Sequence, residues 1–138
     1  MPRRPQLATR RLNASRRATG PTTQVRHIVA TRANYRCEGC GLRLHDGNTW
    51  TEPHSFHHRR PRGAGGSRDT ATNTPPNLLL LCGTGTTGCH GDIERRREAA
   101  YTAGMLVHQG TDPEQQPVRI WWRRLVHLTA DGQYQETP

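Results

Sequence analysis

The cysteines are the feature that most limits how this chain can fold. They form two pairs, Cys37 and Cys40 with two residues between them, and Cys82 and Cys89 with six between them. Hydrophobic residues make up only 31% of the 138 positions, and a core this poor in apolar side chains usually depends on disulfides or a metal. In a reducing compartment, spaced cysteines favour a metal. We therefore predict that the four thiolates bind one structural Zn²⁺ as a zinc knuckle.

The second pair leaves alternatives open. Its gap is wider than the usual two residues and is filled by the flexible stretch GTGTTG. His90, next to Cys89, could be the fourth ligand instead, but neighbouring residues on a helix point about 100° apart. We therefore expect Cys89 and His90 to serve two different sites. The remaining alternative is four buried cysteines without a metal.

Charge indicates the class of partner. The formal net charge is +9, and all 20 basic residues are arginines. A guanidinium group can grip a phosphate through two hydrogen bonds at once, so this excess predicts a polyanionic partner, above all a nucleic acid. A GC-rich source genome would explain the missing lysines but not the surplus of positive charge.

The ends of the chain bear on its location. Residues 1–22 contain repeated arginine pairs without a hydrophobic period, which predicts a disordered basic arm. No apolar run that resembles a secretory signal occurs there, and Leu78–Leu81 is too short to cross a bilayer. We expect a soluble cytoplasmic protein with no membrane partner. The alternative is that the arm is an organellar transit peptide.

Hydrophobic spacing predicts the elements of a small α+β domain over residues 23–104. The expected order is a helix within 23–35, two short strands within 42–58, a buried strand at 77–81 and a helix at 90–102 that stops at Gly104. Residues 105–138 are expected to form a short β tail packed on or next to this domain. Its strand candidates are 118–121 and 125–129, with a turn at Asp131-Gly132.

The histidines add a recognisable pattern. The adjacent pair His57-His58 is followed by Asn77 and then by His90, with the cysteines before and among them. This order resembles the HNH endonuclease family over residues 25–104. The resemblance implies a ββα-metal fold, double-stranded DNA as the partner and metal-dependent hydrolysis of its phosphodiester bonds. The glycine-rich loop, NLLLLC and CHGDIE are also similar to the small HNH nucleases of tailed bacteriophages that act beside the terminase, which would place the protein in the host cytoplasm.

The resemblance also implies a role for each of these residues. His57 stands at the position of the first metal ligand, and His58 at that of the general base that activates water. Asn77 matches the asparagine that fixes the loop or orients the base, and His90 matches the closing metal ligand. Successive strand residues point to opposite sides, so one imidazole of the pair can hold an ion while the other accepts a proton.

The third metal ligand departs from the family pattern. Many relatives have a histidine four residues after the closing one, where this chain has Glu94. Residues four apart share a helical face, so Glu94 could reach the same ion as His90. A carboxylate would favour Mg²⁺ or Mn²⁺, with Ni²⁺ or Zn²⁺ as further candidates for the catalytic divalent cation. The alternatives are that Glu94 simply pairs with Arg97, and that His54 is a substitute ligand.

Two arginine groups are the predicted DNA contacts. One directly follows the proposed base and the other lies on the helix of the closing histidine: Arg59, Arg60, Arg62, Arg95 and Arg96. Such side chains would grip phosphates without reading the base sequence. The alternative is an ordinary solvated charged face. For Trp121-Trp122 we favour strand packing over stacking on bases.

Two other functions fit the same sequence. The chain could be a zinc-knuckle DNA-binding module without catalysis, or an accessory protein for terminase assembly whose own activity is weak. The nuclease and the binding module both predict bound zinc and salt-sensitive affinity for DNA, but only the nuclease requires His57, His58 and His90 to act together. The accessory protein would cleave poorly alone and gain activity when its partner is added.

Overall fold

The structure is a computed structural model that describes residues 20–61, 70–122 and 124–137. Most of the predicted arm (1–19) and the glycine-rich stretch 62–69, which includes Arg62, lie outside these residues. The architecture is small and mixed α+β, as predicted. Its helices and strands are, in chain order, α1 (Thr23–Arg32), β1 (His54–His58), β2 (Leu78–Cys82), α2 (Gly88–Arg95), α3 (Arg97–Thr102), β3 (Val118–Arg119), β4 (Leu125–Leu128) and β5 (Tyr134–Glu136).

Helix α1 begins at a side-chain cap and ends earlier than its predicted limit. The Thr22 hydroxyl oxygen accepts a hydrogen bond from the Val25 amide at 3.2 Å, which satisfies one of the free donors of the first turn. The helix stops at Arg32 because Asn34 and Tyr35 both take the left-handed conformation, with φ of 53° and 56°. The chain then turns directly into the first cysteine pair.

Strands β1 and β2 form a two-stranded antiparallel sheet. His54 lies opposite Cys82, and His58 lies opposite Leu78. Every residue of β2 is buried, which confirms the buried strand predicted from the leucine run. Two short turns, Pro75–Asn77 and Pro113–Gln115, are 3₁₀ helices.

The prediction of two strands within 42–58 is wrong, because the structure has one strand there. Only β1 forms, and the preceding residues make isolated bridges, Arg36 with Arg43 and His45 with Trp50. The Asp46 carboxylate accepts hydrogen bonds from the amides of the two residues that follow Gly47, so this segment folds into a side-chain-closed turn rather than a ladder.

The single helix predicted over 90–102 is two helices. Arg96 has φ −127° and ψ 58°, which breaks the helical path between α2 and α3. The predicted stop at Gly104 is confirmed, since its φ is +76° and a Cβ there would lie 2.0 Å from the Pro117 carbonyl oxygen.

The tail forms a second antiparallel sheet in the order β3-β4-β5. Its third strand, β5, was not predicted. Val118, Val126 and Leu128 are buried, so the tail belongs to the same core as the leucines of β2. None of the helices that the structure describes is long and apolar enough to cross a membrane.

A buried ion pair joins several elements at the centre of the molecule. Arg32 on α1 donates two hydrogen bonds to the Glu38 carboxylate, at 3.1 and 2.7 Å, and both side chains are 1% exposed. The same carboxylate accepts from the Leu80 amide at 2.9 Å and from the Tyr134 hydroxyl at 2.7 Å. Because Glu38 follows Cys37, this network fixes the first cysteine pair against β2 and the tail.

Candidate functional site

The four cysteines converge from the two pairs. Their sulfur atoms all lie within 4.8 Å of one another, and those of Cys40 and Cys82 are 3.8 Å apart. A tetrahedral ion with Zn–S bonds of about 2.3 Å requires sulfur atoms about 3.8 Å apart. The cluster could therefore hold a metal ion, and its geometry and donor set are compatible with structural zinc.

The six-residue gap of the second pair is accommodated by a tight loop. Thr84 and Thr87 exchange backbone hydrogen bonds at 3.1 and 3.2 Å, which brings the chain back on itself between Cys82 and Cys89. Gly83 (φ +87°) and Gly88 (φ +62°) close this loop, and a Cβ on Gly83 would lie 2.1 Å from a backbone oxygen. The glycines thus make the unusual spacing workable.

The ionisation of each thiol depends on its neighbours. A hydrogen bond from Cys89 lowers the pKa of Cys37 to about 5, against the desolvation that raises it. The same contact raises the pKa of Cys89, and burial raises the pKa of Cys40 to about 11. Without a cation only part of the cluster can ionise, whereas a divalent cation would stabilise all four thiolates.

His57 lies on β1 with its side chain buried. Its Nε2 lies 2.9 Å from the Met105 carbonyl oxygen. A carbonyl oxygen can only accept, so Nε2 carries the hydrogen and Nδ1 carries the lone pair. Burial lowers the pKa of His57 to about 4, with the hydrogen bond to Met105 opposing the shift. The ring is therefore neutral at physiological pH and can offer Nδ1 as a ligand.

His90 lies in the first turn of α2, and its ring lies near that of His57. The ring centroids of His57 and His90 are 5.1 Å apart, at an interplanar angle of 57°. The Nδ1 atom of His90 is buried and has no hydrogen-bond partner. Burial also lowers the pKa of His90. A buried ring nitrogen without a hydrogen-bond partner is a suitable position for a metal ligand.

Glu94 does not complete this pair in the structure. It lies one helical turn after His90, but its carboxylate accepts a hydrogen bond from Arg97 at 3.1 Å. Over residues 20–61, 70–122 and 124–137, the ligand atoms of His57, His90 and Glu94 do not all lie within 4.8 Å of one another, whereas those of the cysteines do. The structure thus has the arrangement given above as the alternative, an exposed Glu94–Arg97 pair.

His58 points away from His57. Its Nε2 donates a hydrogen bond to the Asn73 side-chain oxygen at 2.7 Å. The Asn73 oxygen only accepts, so Nε2 carries a hydrogen. Asn73 belongs to the long loop between β1 and β2, and nothing in its sequence context distinguished it.

Asn77 is buried at the start of β2 and fixes that loop. It accepts from the Arg60 amide at 2.7 Å and donates to the carbonyl oxygens of Arg60 and Thr72 at 3.2 and 2.9 Å. Two roles were predicted for Asn77, and these contacts agree with the first, fixing the loop. In these hydrogen bonds the partners of its side chain are backbone groups of Arg60 and Thr72, not His58.

The predicted phosphate contact of Arg59 is wrong. Its side chain is fully buried and donates four hydrogen bonds of 2.8 to 3.0 Å to backbone carbonyl oxygens, those of Gly104, Pro76, Pro113 and Gln116. It holds the α3 end and the tail to the sheet instead. Sequence spacing cannot reveal this, because the four acceptors come from distant segments.

The other predicted arginines differ in their exposure. Arg60 is only 8% exposed and donates to the Thr111 carbonyl oxygen at 3.0 Å, so it too is a poor phosphate contact. Arg95 and Arg96 are exposed on and after α2, and Arg95 pairs with Asp92. Arg62 lies outside the described residues.

A cavity of about 750 Å³ brings the histidines together. Its wall includes His57, His58, His90 and Glu94, together with two arginines, Arg26 and Arg97. Arg26, on α1, was not among the predicted site residues, since its place in the sequence gives no sign that α1 lies beside β1. With His54, which also lines it, the cavity therefore combines four imidazoles with two guanidinium groups, a setting suited to a phosphate group.

Comparison with known proteins does not assign this chain to a family. The chain matches no protein-family model, no curated protein and no solved structure.

Proposed function

We propose that this protein is a metal-dependent DNA endonuclease of the HNH type that hydrolyses phosphodiester bonds. The observation that carries the proposal is the approach of His57 and His90, with ring centroids 5.1 Å apart and a buried His90 Nδ1 that lacks a partner. Both rings line one basic cavity with His58. The net charge of +9 supports a polyanionic substrate.

The chain's own residues supply the steps of such a reaction. His58, which lines the cavity and is held by its hydrogen bond to Asn73, accepts the proton of the attacking water. Arg26 and Arg97, which both line the cavity, neutralise the phosphate and fix its orientation. Asn77 holds the loop that carries Asn73, and thereby the ring of His58.

His57 and His90 would hold the catalytic cation through their unprotonated nitrogens. Once bound, a divalent ion stabilises negative charge on the phosphate oxygens. Two imidazoles leave further coordination positions for water or substrate, and Glu94 would have to leave Arg97 to join them. Mg²⁺ or Mn²⁺ remains the favoured prediction if it does.

A plasmid-nicking assay tests the proposal. Wild-type protein is incubated with supercoiled plasmid and Mg²⁺, Mn²⁺, Ni²⁺ or no added cation, beside His58→Ala, His57→Ala and His90→Ala. The matched control is His108→Ala, which removes an exposed histidine that stacks on Tyr101. We expect cation-dependent nicking that falls at least 100-fold in the three site variants and is unchanged in the control. Equal nicking by wild type and His58→Ala, or none with any cation, would overturn the proposal.

The pairing of Glu94 with Arg97 favours one second candidate. Without a carboxylate beside the two histidines, the chain could be a zinc-knuckle module that binds DNA without cutting it. That function predicts salt-sensitive DNA binding by wild type and His58→Ala alike, with no nicking under any condition. Association with a phage terminase stays a prediction of the sequence.

A further inference from the structure

An array of aromatic rings lies beside the cavity that His57, His58 and His90 line, which we call the catalytic cavity. His54 and Phe56 alternate with His57 along β1, so they face the other side of the strand. Together with Trp50 they line a second cavity of about 310 Å³. This aromatic cavity shares Arg26, His54 and Phe56 with the catalytic cavity, so the two cavities have part of their walls in common.

The rings are held in a fixed arrangement. Trp50 and His54 are stacked, with centroids 3.7 Å apart at 18°, and Phe56 meets both edge-on at 6.4 and 6.1 Å. Tyr35 and His45 support Trp50 at 5.5 and 5.2 Å. One face of His54 is therefore covered by Trp50, and the ring remains part-exposed to both cavities. His54 is thus a stacking partner of Trp50, and its role as a substitute metal ligand stays an alternative from the sequence.

We propose that this aromatic cavity binds the base of an unpaired nucleotide next to the scissile phosphate, with His54 as the stacking surface. The inference rests on the proposed function and narrows its substrate to DNA that is single-stranded or locally unpaired at the cut. A base within a duplex is stacked on both faces and has none to offer to His54.

The charge of the walls favours a nucleotide over other flat or cationic ligands. The Arg26 guanidinium lies 5.8 Å from the centre of the Phe56 ring, and His27 is a further wall residue. A methylated amine or another cation would be repelled by Arg26, whereas a nucleotide can place its base on His54 and its phosphate on Arg26. The shared wall then directs the next phosphate towards His58.

The test measures binding separately from cutting. In a His58→Ala background, which should not cleave, fluorescence anisotropy gives the affinity for an oligodeoxynucleotide of about ten nucleotides. Three further ligands are compared with it: the same strand with abasic sites, its duplex, and the ribonucleotide of the same sequence. His54→Ala removes the stacking surface, His54→Phe keeps a ring, and His108→Ala removes a stacked histidine outside the aromatic cavity.

We expect His54→Ala to weaken binding of the single strand about tenfold and to leave the abasic strand unchanged. His54→Phe should restore the affinity, and His108→Ala should not alter it. Stronger binding of the ribonucleotide would support the base site and assign it to RNA. Equal effects of His54→Ala on normal and abasic strands, or no effect on either, would overturn the inference.

Plasmid cutting distinguishes this result from the fate of the proposed function. If wild type nicks plasmid but His54→Ala leaves the affinity for the single strand intact, the inference alone fails. If neither wild type nor any variant nicks plasmid, but His54→Ala still weakens binding of the single strand and not of the abasic strand, the base site is supported and the nuclease activity is not.

Discussion

The side chain of Asn77 and the backbone of Arg60 form a closed pair of hydrogen bonds, N–H to Oδ1 at 2.7 Å and Nδ2 to the carbonyl oxygen at 3.2 Å. Asn77→Asp replaces the amide donor by an acceptor and leaves buried carbonyl oxygens unpaired. We expect a loss of about 2–4 kcal/mol in the free energy of unfolding, measured by urea denaturation. The exposed Asn48→Asp is the control. A loss below about 0.5 kcal/mol would show that the clamp contributes little.

Substitution of Arg59 distinguishes a buried structural role of this side chain from a contact with DNA. Arg59→Lys cannot supply all four backbone acceptors, so we expect about 3 kcal/mol of destabilisation by urea denaturation. The salt dependence of DNA binding should keep its slope under conditions where the variant is folded. Arg97→Gln, in contrast, should leave stability nearly unchanged and reduce that slope by about one. The reverse pattern would restore Arg59 as a phosphate contact.

Zinc content tests the cysteine cluster directly. Wild-type protein should contain one zinc per chain by elemental analysis, and Cys37→Ser should lose the metal and the cooperative unfolding transition followed by circular dichroism. Thr84→Ser, in the loop that joins Cys82 to Cys89, keeps a hydroxyl group at that position and should retain both. A folded, zinc-free wild-type protein would contradict the knuckle.

Tyr134 should make the protein sensitive to alkali. Burial raises the pKa of Tyr134, and the adjacent Glu38 charge raises it further. Its hydroxyl is therefore neutral in the folded state at a pH where the unfolded chain, with a pKa of about 10, already loses the proton. The stability that this shift contributes is complete below pH ~10 and is lost as the pH rises above it.

Tyr134→Phe should show a smaller decline in the free energy of unfolding above pH ~10. At pH 7 it should be about 1–2 kcal/mol less stable, because Glu38 loses a hydrogen bond. Chemical denaturation across the pH range measures both, with the half-exposed Tyr101→Phe as the control. An unaltered alkaline slope in Tyr134→Phe would contradict the assignment.

Local patterns predicted the parts of the fold that depend on neighbouring residues. The leucine run gave a buried strand because only a fully covered strand tolerates such continuity. Gly104 ends its helix because of its own backbone conformation. The break at Arg96 was missed, since no proline or glycine marks it.

The residues of the candidate site were likewise predictable only in part. The sequence singled out His57, His58 and His90, and the folded chain brings the first and third close together. It could not predict that Glu94 pairs with Arg97, because both arrangements satisfy helical spacing. Nor could it predict the partners Met105 and Asn73, which come from other segments.

By itself, the sequence determined the grouping of the cysteines, the small α+β architecture and the excess of positive charge, since each follows from composition or from spacing along one segment. Only the tertiary structure decided that Arg59 is buried, that Arg26 lines the cavity and that His54 stacks on Trp50. Those outcomes depend on which distant backbone and side-chain groups come within hydrogen-bonding or stacking distance, and separation along the chain does not encode that distance.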